Sequence, residues 1–404
     1  MGISAFLLLA LGLASSWPQW GGPTRDFHSD ATGLADKWPA AGPKPLWKRD
    51  LGDGYSAIVT DDRALYTMYR RGTQNIVIAL DAQSGRTLWE QAFEAKASDK
   101  ALVDYGTGPN ATPLLAAGRL FVTTYNGTLA ALDAATGKLL WKHELWSELH
   151  GTFNERGYAS SPIAYHDQAV VPVGGKGQGL IAFRQSDGKI VWRNSDLENA
   201  LSSPILINVD GEEQFAILML KEAAGVDAKT GELRWRHPHQ TMYDINVTTP
   251  VWAPGNILLF SSAYDGGTRA VQLKREGGKT AVKELWFSKR LRVHHGNMLL
   301  LGGYLYASSG DFGVSPVTCI DVKTGEIKWQ QRQLAKANYL FADGKGIALD
   351  EDGKLALLKL TPEKLEVLST AQVLEKIAWT VPTLSGTHLY IRDQKMIRAL
   401  DLGR

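Results

Sequence analysis

A ten-residue phrase recurs along the chain and constrains the fold more than any other feature. Two copies, LDAQSGRTLW at 80–89 and LDAATGKLLW at 132–141, share six of their ten residues. Three looser copies are FRQSDGKIVW at 183–192, VDAKTGELRW at 226–235 and IDVKTGEIKW at 320–329. Self-similarity at a nearly fixed period indicates a repeat architecture, in which each copy belongs to one supersecondary unit.

The residues inside the phrase predict a strand, a tight turn and a second strand. Apolar residues precede Asp133, whose carboxylate is suited to accept backbone N–H groups across the turn. Gly137 supplies the positive φ that a short hairpin requires. Trp141 offers a large flat surface for burial between neighbouring units. Nothing in this arrangement points to catalysis, so we interpret the phrase as architecture.

Weaker and split copies bring the number of units to eight. One copy with a lengthened turn ends at Trp286, and another ends near Ser369 without tryptophan. The C-terminal ALDLGR lacks an outer strand, while the N-terminal PKPLWKRDL provides a strand with nothing before it. About 45 residues per unit suits a four-stranded propeller blade. We therefore predict an all-β, eight-bladed β-propeller of four-stranded antiparallel blades over 17–404, with the ring closed by the N- and C-terminal strands.

The pattern A-x-D-x-x-[TS]-G-x-x-x-W resembles the tryptophan-docking motif of PQQ-type (pyrroloquinoline quinone-type) propeller repeats. The opening WPQWGGPTRDFHS also resembles the start of secreted bacterial proteins of the BamB type. The resemblance implies that the tryptophan of each blade stacks against the motif of the next blade. The tryptophans expected to dock in this way are Trp47, Trp89, Trp141, Trp192, Trp235, Trp286 and Trp329.

The two ends and the composition indicate where the chain resides. An apolar run from Ala5 to Ala14 precedes small residues, so we expect a signal peptide over 1–16 and a periplasmic or secreted protein. An uncleaved hydrophobic anchor is the alternative, and no cysteine ends the run to carry a lipid. No other segment is apolar enough to span a bilayer. A net charge of +2 gives no reason to expect nucleic acid as a partner. Cys319 is the only cysteine, so no intramolecular disulfide forms.

A second phrase marks the expected innermost strands, and it carries the candidate site. Ser/Thr-Pro pairs occur at 112–113, 161–162, 203–204 and 249–250, and the residues around them differ from blade to blade. Equivalent positions that carry different residues in different blades suggest a functional surface, and these positions are expected at the channel mouth. Polar residues that only hold ordered water there are the alternative. The candidate ligand-binding residues are Tyr55, Asn110, Arg156, Tyr158, Ser202, Asn246, His294, His295, Asn297 and Trp379.

The sequence gives little support for a bound metal ion or cofactor. Adjacent residues on a strand face opposite sides, so His294 and His295 are not expected to hold one ion, and Asn297 is expected to share the face of His295. Asn110, Glu155 and Asp244 offer oxygen ligands of the kind Ca²⁺ requires. The quinone alcohol dehydrogenases of the resembled family carry a vicinal disulfide, which one cysteine excludes, and longer inter-blade segments. We therefore expect no metal and no cofactor, with PQQ and Ca²⁺ as the alternative.

Only the family resemblance indicates a function for this sequence. We expect a monomeric, non-catalytic binding or assembly scaffold of the bacterial envelope, which uses a propeller face or the channel mouth for a protein or peptide partner. The alternative is a small-ligand site in the channel, either of a PQQ-dependent dehydrogenase-like enzyme or of a carbohydrate-binding protein. No G-x-S-x-G, H-E-x-x-H or phosphate-loop motif favours another enzyme class.

Overall fold

The chain forms a ring of eight β-sheets. The computed structural model describes residues 16–311 and 315–404, so the signal peptide predicted over 1–16 lies, except for Ser16, outside the described residues. Within these ranges 32 strands form eight four-stranded antiparallel sheets, each a blade. The predicted fold is confirmed. No helix long and apolar enough to cross a bilayer occurs in the part of the chain that the structure describes.

Seven blades are each built from four consecutive strands. In each of these blades the first strand lies innermost, and first strands contact one another between blades 1 and 2, 2 and 3, 5 and 6, and 6 and 7. Blade 1 contains β2 Val59–Thr60, β3 Ala64–Arg71, β4 Gln74–Asp81 and β5 Thr87–Glu94; blade 2 contains β6 Leu114–Ala116, β7 Arg119–Thr123, β8 Thr128–Asp133 and β9 Leu139–Glu144. Blade 3 contains β10 Ile163–Tyr165, β11 Gln168–Pro172, β12 Leu180–Arg184 and β13 Ile190–Asn194; blade 4 contains β14 Ile205–Val209, β15 Glu212–Leu218, β16 Glu222–Asp227 and β17 Leu233–Pro238.

The remaining blades continue this order until the ring closes. Blade 5 contains β18 Val251–Ala253, β19 Ile257–Ser262, β20 Gly267–Glu276 and β21 Lys279–Ser288; blade 6 contains β22 Leu299–Leu301, β23 Tyr304–Ser308, β24 Val317–Asp321 and β25 Ile327–Gln331. Blade 7 contains β26 Ala337–Ala342, β27 Lys345–Asp350, β28 Lys354–Leu360 and β29 Leu365–Gln372; blade 8 contains β30 Thr383–Ser385, β31 His388–Arg392, β32 Met396–Asp401 and the N-terminal β1 Lys44–Asp50.

Strands from both ends of the chain close the ring, as predicted. Strand β1 pairs antiparallel with β32, from Lys44 opposite Asp401 to Asp50 opposite Met396. Blade 8 is further joined to blade 1 by Arg392, whose fully buried guanidinium donates to the carbonyl oxygens of Met68 at 2.6 Å and Gly52 at 3.1 Å. Burial lowers the pKa of Arg392 to about 10, so the group is charged at neutral pH.

The repeated tryptophans pack across the seams between blades. Trp89 Nε1 donates to the carbonyl oxygen of Ala134 at 3.0 Å, and its ring lies over Gly137. A β-carbon on Gly137 would lie 2.5 Å from Trp89, which explains why this turn position is glycine. Trp47, Trp141, Trp286 and Trp329 likewise donate to the turn of the following blade. Trp192 packs on Gly231 without such a bond, and Trp235 instead donates to Gln214 of its own blade.

Hydroxyl groups of the second phrase connect successive innermost strands. The amide N–H of Ala57 donates to Thr112 Oγ1, that of Thr112 to Ser161 Oγ, and that of Ser161 to Ser203 Oγ. These three bonds of 2.9 to 3.1 Å link blades 1 to 4 side by side. The Ser/Thr of the second phrase therefore has a structural role in joining blades 1 to 4.

The segment at 17–43 lies across one face of the ring before β1 begins. We call this face, which carries the Asp-to-Gly turns, the turn face, and the opposite one, which carries the inter-blade connections, the loop face. Trp17 forms a β-bridge with Thr60 of blade 1. The carbonyl oxygen of Pro18 accepts from the N–H of Leu115 in blade 2, and that of Phe27 accepts from the N–H of Phe341 in blade 7. The segment thus crosses the channel and holds distant blades together. We call residues 17–31 the N-terminal strap.

Candidate functional site

A cavity of about 340 Å³ lies where the inter-blade connections converge at the channel mouth. Volumes of roughly 300–1,000 Å³ are typical of small-molecule sites. Six of the ten predicted site residues line it, namely Tyr55, Asn110, Arg156, His294, His295 and Trp379. Other side chains that line the cavity are Trp20, Leu102, Asp104, Tyr105, Tyr264, Lys336 and Glu351.

Trp20 of the N-terminal strap contributes to the cavity from the side of the turn face. Its Nε1 donates to Thr249 Oγ1 at 2.8 Å, and its ring meets Phe27 edge-on with centroids 5.5 Å apart. These contacts fix the indole in the channel between the strap and blade 5. The channel therefore forms a cup that faces the loop face.

Five aromatic rings follow one another along one wall of the cup. We call Tyr55, Trp379, His295, His294 and Tyr264 the aromatic arc. Successive ring centroids lie 5.2, 4.3, 4.7 and 4.9 Å apart, within the range of favourable aromatic contacts. The arc draws on three inter-blade connections and on the turn between β19 and β20 of blade 5, so only the closed ring assembles it.

His294 is held by a hydrogen-bond chain beneath the arc. Lys336 Nζ lies 3.2 Å from His294 Nδ1 and donates at 3.1 Å to the carbonyl oxygen of Asp311. Because an ammonium only donates, Nδ1 accepts, and Nε2 carries the proton shared with Tyr264 Oη at 2.8 Å. Burial, followed by the charge of Lys336, lowers the pKa of His294 to about 3. The imidazole is therefore neutral at physiological pH.

His295 has the most unusual environment in the wall. Burial lowers the pKa of His295 well below its ordinary value, and the neighbouring His294 and the ammonium of Lys336 also disfavour its protonation. Neither ring nitrogen of His295 has a hydrogen-bond partner among the described residues, although both atoms are buried. A neutral imidazole carries one donor and one acceptor, and leaving both unmet costs free energy.

The remaining polar groups of the wall are anchored by the protein itself. Trp379 Nε1 donates to Glu351 Oε2 at 3.0 Å. Tyr55 Oη accepts from Gln394 and donates to the carbonyl oxygen of Tyr105, both at 2.6 Å. Burial raises the pKa of Tyr55 to about 12, so its hydroxyl stays protonated. These bonds orient the arc and leave its rings, rather than its hydroxyl and indole N–H, as the contact surface.

Asn110 and Arg156 lie together in the wall of the cavity. Asn110 Nδ2 donates to the carbonyl oxygen of Arg156 at 3.1 Å, and the guanidinium pairs with Glu155 at 2.9 Å. The charge of Arg156 is thus balanced by its neighbour. Both residues sit in inter-blade connections, as the variable positions before Ser/Thr-Pro predict.

Four predicted site residues do not line the cavity and instead bind backbone within or between blades. Each is buried, and its polar group is satisfied by a carbonyl oxygen. Tyr158 Oη donates to Pro172, Ser202 Oγ to Thr248, Asn246 Nδ2 to Met219 and Asn297 Nδ2 to Tyr339, over 2.6 to 2.8 Å.

The expectation that His294 and His295 face opposite sides is wrong. Both lie in the connection that precedes β22 rather than on a strand, and both line the cavity with their rings 4.7 Å apart. Asn297 does not share the face of His295, because its side-chain amide pairs with the backbone of Tyr339 through Nδ2 and Oδ1. The chain bends at these residues, so their side chains do not alternate between two faces as they would on an extended strand.

The residues present do not fit a Ca²⁺–quinone centre. Among residues 16–311 and 315–404 no group of three His, Cys, Asp or Glu side chains is placed to hold a metal ion. Of the three proposed oxygen ligands only Asn110 lines the cavity, and Glu155 is engaged with Arg156. Cys319 is buried within β24.

Several cavity residues were not predicted from sequence. Trp20, Tyr105, Tyr264, Lys336 and Glu351 fall outside both repeated phrases or at positions where the phrases show no common residue. Only Tyr105 could have been suspected from the sequence, because the connection between β5 and β6 in which it lies is long. The others reach the cavity through packing between blades, which no local pattern records.

Eight blades with docked tryptophans at their seams define a propeller of PQQ-type repeats. A family model described as "Outer membrane protein assembly factor BamB" matches residues 39–144 and 73–331. The chain belongs to this family. It is 23% identical over 314 residues to the outer membrane protein assembly factor BamB of Yersinia pestis, covering 73% of this chain and 71% of that protein.

Quinone-dependent enzymes share the fold. The dehydrogenase subunit of a quinone alcohol dehydrogenase from Acetobacter aceti is 27% identical over 285 residues, covering 61% of this chain but only 37% of that subunit. The crystal structure of quinohemoprotein alcohol dehydrogenase from Comamonas testosteroni superposes with a TM-score of 0.68 at 12% identity, covering 96% of this chain and 81% of the enzyme.

Proposed function

We propose that the protein is a non-catalytic assembly scaffold of the bacterial envelope, which binds a protein or peptide partner on its loop face. The observation that carries this proposal is a set of exposed apolar side chains around the mouth of the cup. Membership of the family described as outer membrane protein assembly factor supports an envelope partner. The lengths of the matched regions favour the same role, since the match spans 71% of the assembly factor from Yersinia pestis but 37% of the dehydrogenase subunit from Acetobacter aceti.

The exposed side chains lie in three inter-blade connections. Met242 is 67% exposed, Tyr243 60% and Tyr105 57%, and Leu102, Val103 and Phe153 are also exposed. The connections are joined to the cup, because Met242 N–H donates to the carbonyl oxygen of Tyr264 and Leu102 N–H to that of Glu155. Contiguous exposed apolar side chains on a soluble protein are typical of a partner-binding surface. We call these six residues the apolar rim.

The rim suits an extended or irregular segment of a partner more than a flat domain surface. Its side chains project from three loops on one face of the ring, and two of them, Leu102 and Tyr105, also line the cup, so a partner segment could insert apolar groups between them. Aromatic and methionine side chains supply most of such contact energy and adapt to different shapes. We infer that the protein acts as a monomer at the periplasmic side of the envelope and presents this surface to outer-membrane proteins or their assembly machinery.

Site-specific photo-crosslinking tests the proposal. A photoreactive amino acid placed at Tyr243 or Tyr105 should crosslink a discrete envelope protein in cells of the producing bacterium. The same probe at Leu140, an apolar and exposed residue on the outer strand β9, serves as the matched control. Identical crosslinks from all three positions, or none from the rim, would count against the rim as the binding surface.

The competing function is a quinone-dependent oxidoreductase, which the similarity to the alcohol dehydrogenases keeps open. Purified protein titrated with PQQ and Ca²⁺ should show no change in quinone absorbance and no thermal stabilisation. Clear stabilisation that is lost on replacing Asn110 or His295 with alanine would favour the enzyme instead.

A further inference from the structure

The polar atoms of the aromatic arc are already bonded to the protein or buried. Tyr55 Oη, Trp379 Nε1 and the ring of His294 each hydrogen-bond to another protein group. Both ring nitrogens of His295 are buried, so they offer no polar atom to a ligand in the cup. The surface left to an occupant is mainly carbon, and the hydrophobic effect rather than hydrogen bonding has to supply most of its affinity.

The cup and the apolar rim form one continuous surface. Leu102 and Tyr105 belong to both, and the ring centroid of Tyr105 lies 5.4 Å from that of Trp379 in the aromatic arc. Pockets inside a protein interface typically take one large anchor side chain, most often an aromatic one. A cavity of about 340 Å³ is at the small end of ligand sites, which suits a single ring system rather than a folded element of a partner.

Two exposed carboxylates stand beside the rim. Asp104 directly precedes Tyr105 and also lines the cup, and Asp244 directly follows Tyr243. In the part of the chain that the structure describes, neither carboxylate forms an ion pair or a side-chain hydrogen bond. A partner segment that carries positive charge is therefore complementary to this edge of the cup.

The positive charges around the cup are each engaged within the protein. Arg156 pairs with Glu155 at 2.9 Å. Lys336 is buried, donates to a histidine and to a carbonyl oxygen, and is attracted by the carboxylate of Glu351 in the same wall. Arg25 of the N-terminal strap is buried and donates to two backbone carbonyl oxygens. The exposed charge that meets an incoming segment without a partner is consequently negative.

We propose that the cup takes an aromatic side chain from an extended segment of the partner, and that a lysine or arginine beside this side chain pairs with Asp104. The inference rests on the proposed function, because it requires a partner seated on the apolar rim. The ring supplies most of the affinity, since it leaves water to pack against the aromatic arc and Trp20. The exposed ion pair adds specificity more than affinity.

Fluorescence anisotropy of labelled peptides on the purified protein tests this inference. The parent probes are Gly-Ser-Lys-Phe-Lys-Ser-Gly and the same peptide with Trp in place of Phe, each titrated with protein up to millimolar concentration. At least one parent should bind, and its analogue with Ser at the aromatic position should bind at least about tenfold more weakly. An analogue with Glu in place of both Lys should also bind more weakly, by a factor that shrinks at high salt. Absence of binding by both parents, or equal binding of parent and analogues, would overturn the inference.

Charge reversal at Asp104 connects the peptide to the cup. Asp104→Lys should weaken the lysine peptide and strengthen the glutamate peptide, each by about two- to fivefold. Asp99→Lys, in the same inter-blade connection but outside the cup, is the matched control and should change neither affinity. Both positions are exposed, so both variants are expected to fold. The same change in both variants would assign the charge effect to the loop face in general and contradict the pairing with Asp104.

Filling the cup tests the place of the aromatic ring. Ala159 and Val247 line the cavity and are half-buried, so Ala159→Phe or Val247→Phe puts a ring of the protein itself into the cup. Each variant that keeps the circular dichroism spectrum of the unaltered protein should bind the parent peptide at least about tenfold more weakly. Leu140→Phe places the same ring on the outer strand β9 and should bind normally. Unchanged affinity in a folded cup variant would contradict the inference.

The inference and the proposed function fail separately. Met242→Ser combined with Tyr243→Ser alters rim residues that do not line the cavity, whereas Ala159→Phe alters the cup. The partner crosslink from Tyr105 should be lost in both proteins. Loss in the rim variant alone would overturn the inference and leave the proposed function standing. Absence of any crosslink from the rim of the unaltered protein would overturn the proposed function, and the inference with it.

Discussion

Tryptophan has two separate uses in this chain, and they are distinguished by position. Trp89 and Trp141 follow the repeated turn and pack on a glycine of the next blade, which the phrase predicts. Trp379 stands outside the phrase, and the structure places it in the wall of the cup. Lys336 and Glu351 also reach the cup, yet no pattern marks them, because their contacts depend on how neighbouring blades pack.

The docking of Trp89 on Gly137 is tested by a pair of glycine substitutions. Gly137 and Gly118 both have positive φ in blade 2, but a β-carbon on Gly118 meets nothing within 4 Å. Gly118→Ala therefore carries backbone strain alone, of about 1 kcal/mol. Gly137→Ala should lower the free energy of unfolding by about 1–3 kcal/mol more, because the methyl group displaces Trp89. Equal losses in urea denaturation would show that the seam does not depend on this contact.

His239 should make the stability fall on acidification. Burial lowers the pKa of His239 to about 3, below its ordinary value of 6.5. The unfolded chain therefore binds a proton that the folded chain excludes between these pH values, and stability is lost as pH falls below about 6.5 at roughly 1.4 kcal/mol per pH unit. The variant His239→Gln should lose less stability between pH 7 and pH 5 in urea titrations. Equal losses of stability in the variant and the unaltered protein between pH 7 and pH 5 would contradict the lowered pKa of His239.

At the scale of elements, blade 8 depends on strands from opposite ends of the chain. The unfinished ALDLGR and the unpaired PKPLW predict this composite blade, and the register of β1 on β32 confirms it. The sequence does not predict the buried Arg392, because a charged residue near the end of a strand reads as surface-exposed. Its partners on blade 1 lie far away in sequence, and only ring closure brings them within reach.

Arg392→Met should weaken the seam between blades 8 and 1. The substitution removes the donors to Met68, Gly52 and Thr67 and leaves buried carbonyl oxygens unsatisfied. We expect a loss on the order of 3 kcal/mol in the free energy of unfolding. Arg63→Met, at an exposed position of blade 1, should change stability by about 0.5 kcal/mol or less. Equal effects of the two variants would argue against a special role for Arg392.

At the scale of the whole molecule, the N-terminal strap changes an open ring into a cup. The repeat period predicts eight blades and their order, but it contains no information about a segment that precedes the first unit. The path of residues 17–31 is set by contacts with blades 1, 2, 3, 5 and 7, all of which exist only after the ring has formed. This part of the site was accordingly out of reach of sequence reasoning.

Deleting residues 17–31 should loosen the turn face of the ring. The amide groups of Thr60, Leu115 and Phe341 donate to Trp17, Pro18 and Phe27, and they lose these acceptors in the shortened protein. Hydrogen exchange at the three amides should accelerate, and the melting temperature should fall. Ile78, in the middle of blade 1, is paired on both sides by other strands and should exchange as slowly as before. Continued protection of the three amides would contradict the role given to the strap.

The composite blade also has a consequence for biosynthesis. Strand β1 is synthesised about 350 residues before its pairing partner β32. Until β32 has been made, β1 therefore remains an unpaired edge, open to mispairing and to proteases. A chain truncated before Met396 lacks the partner of β1, so this strand stays unpaired and the ring cannot close.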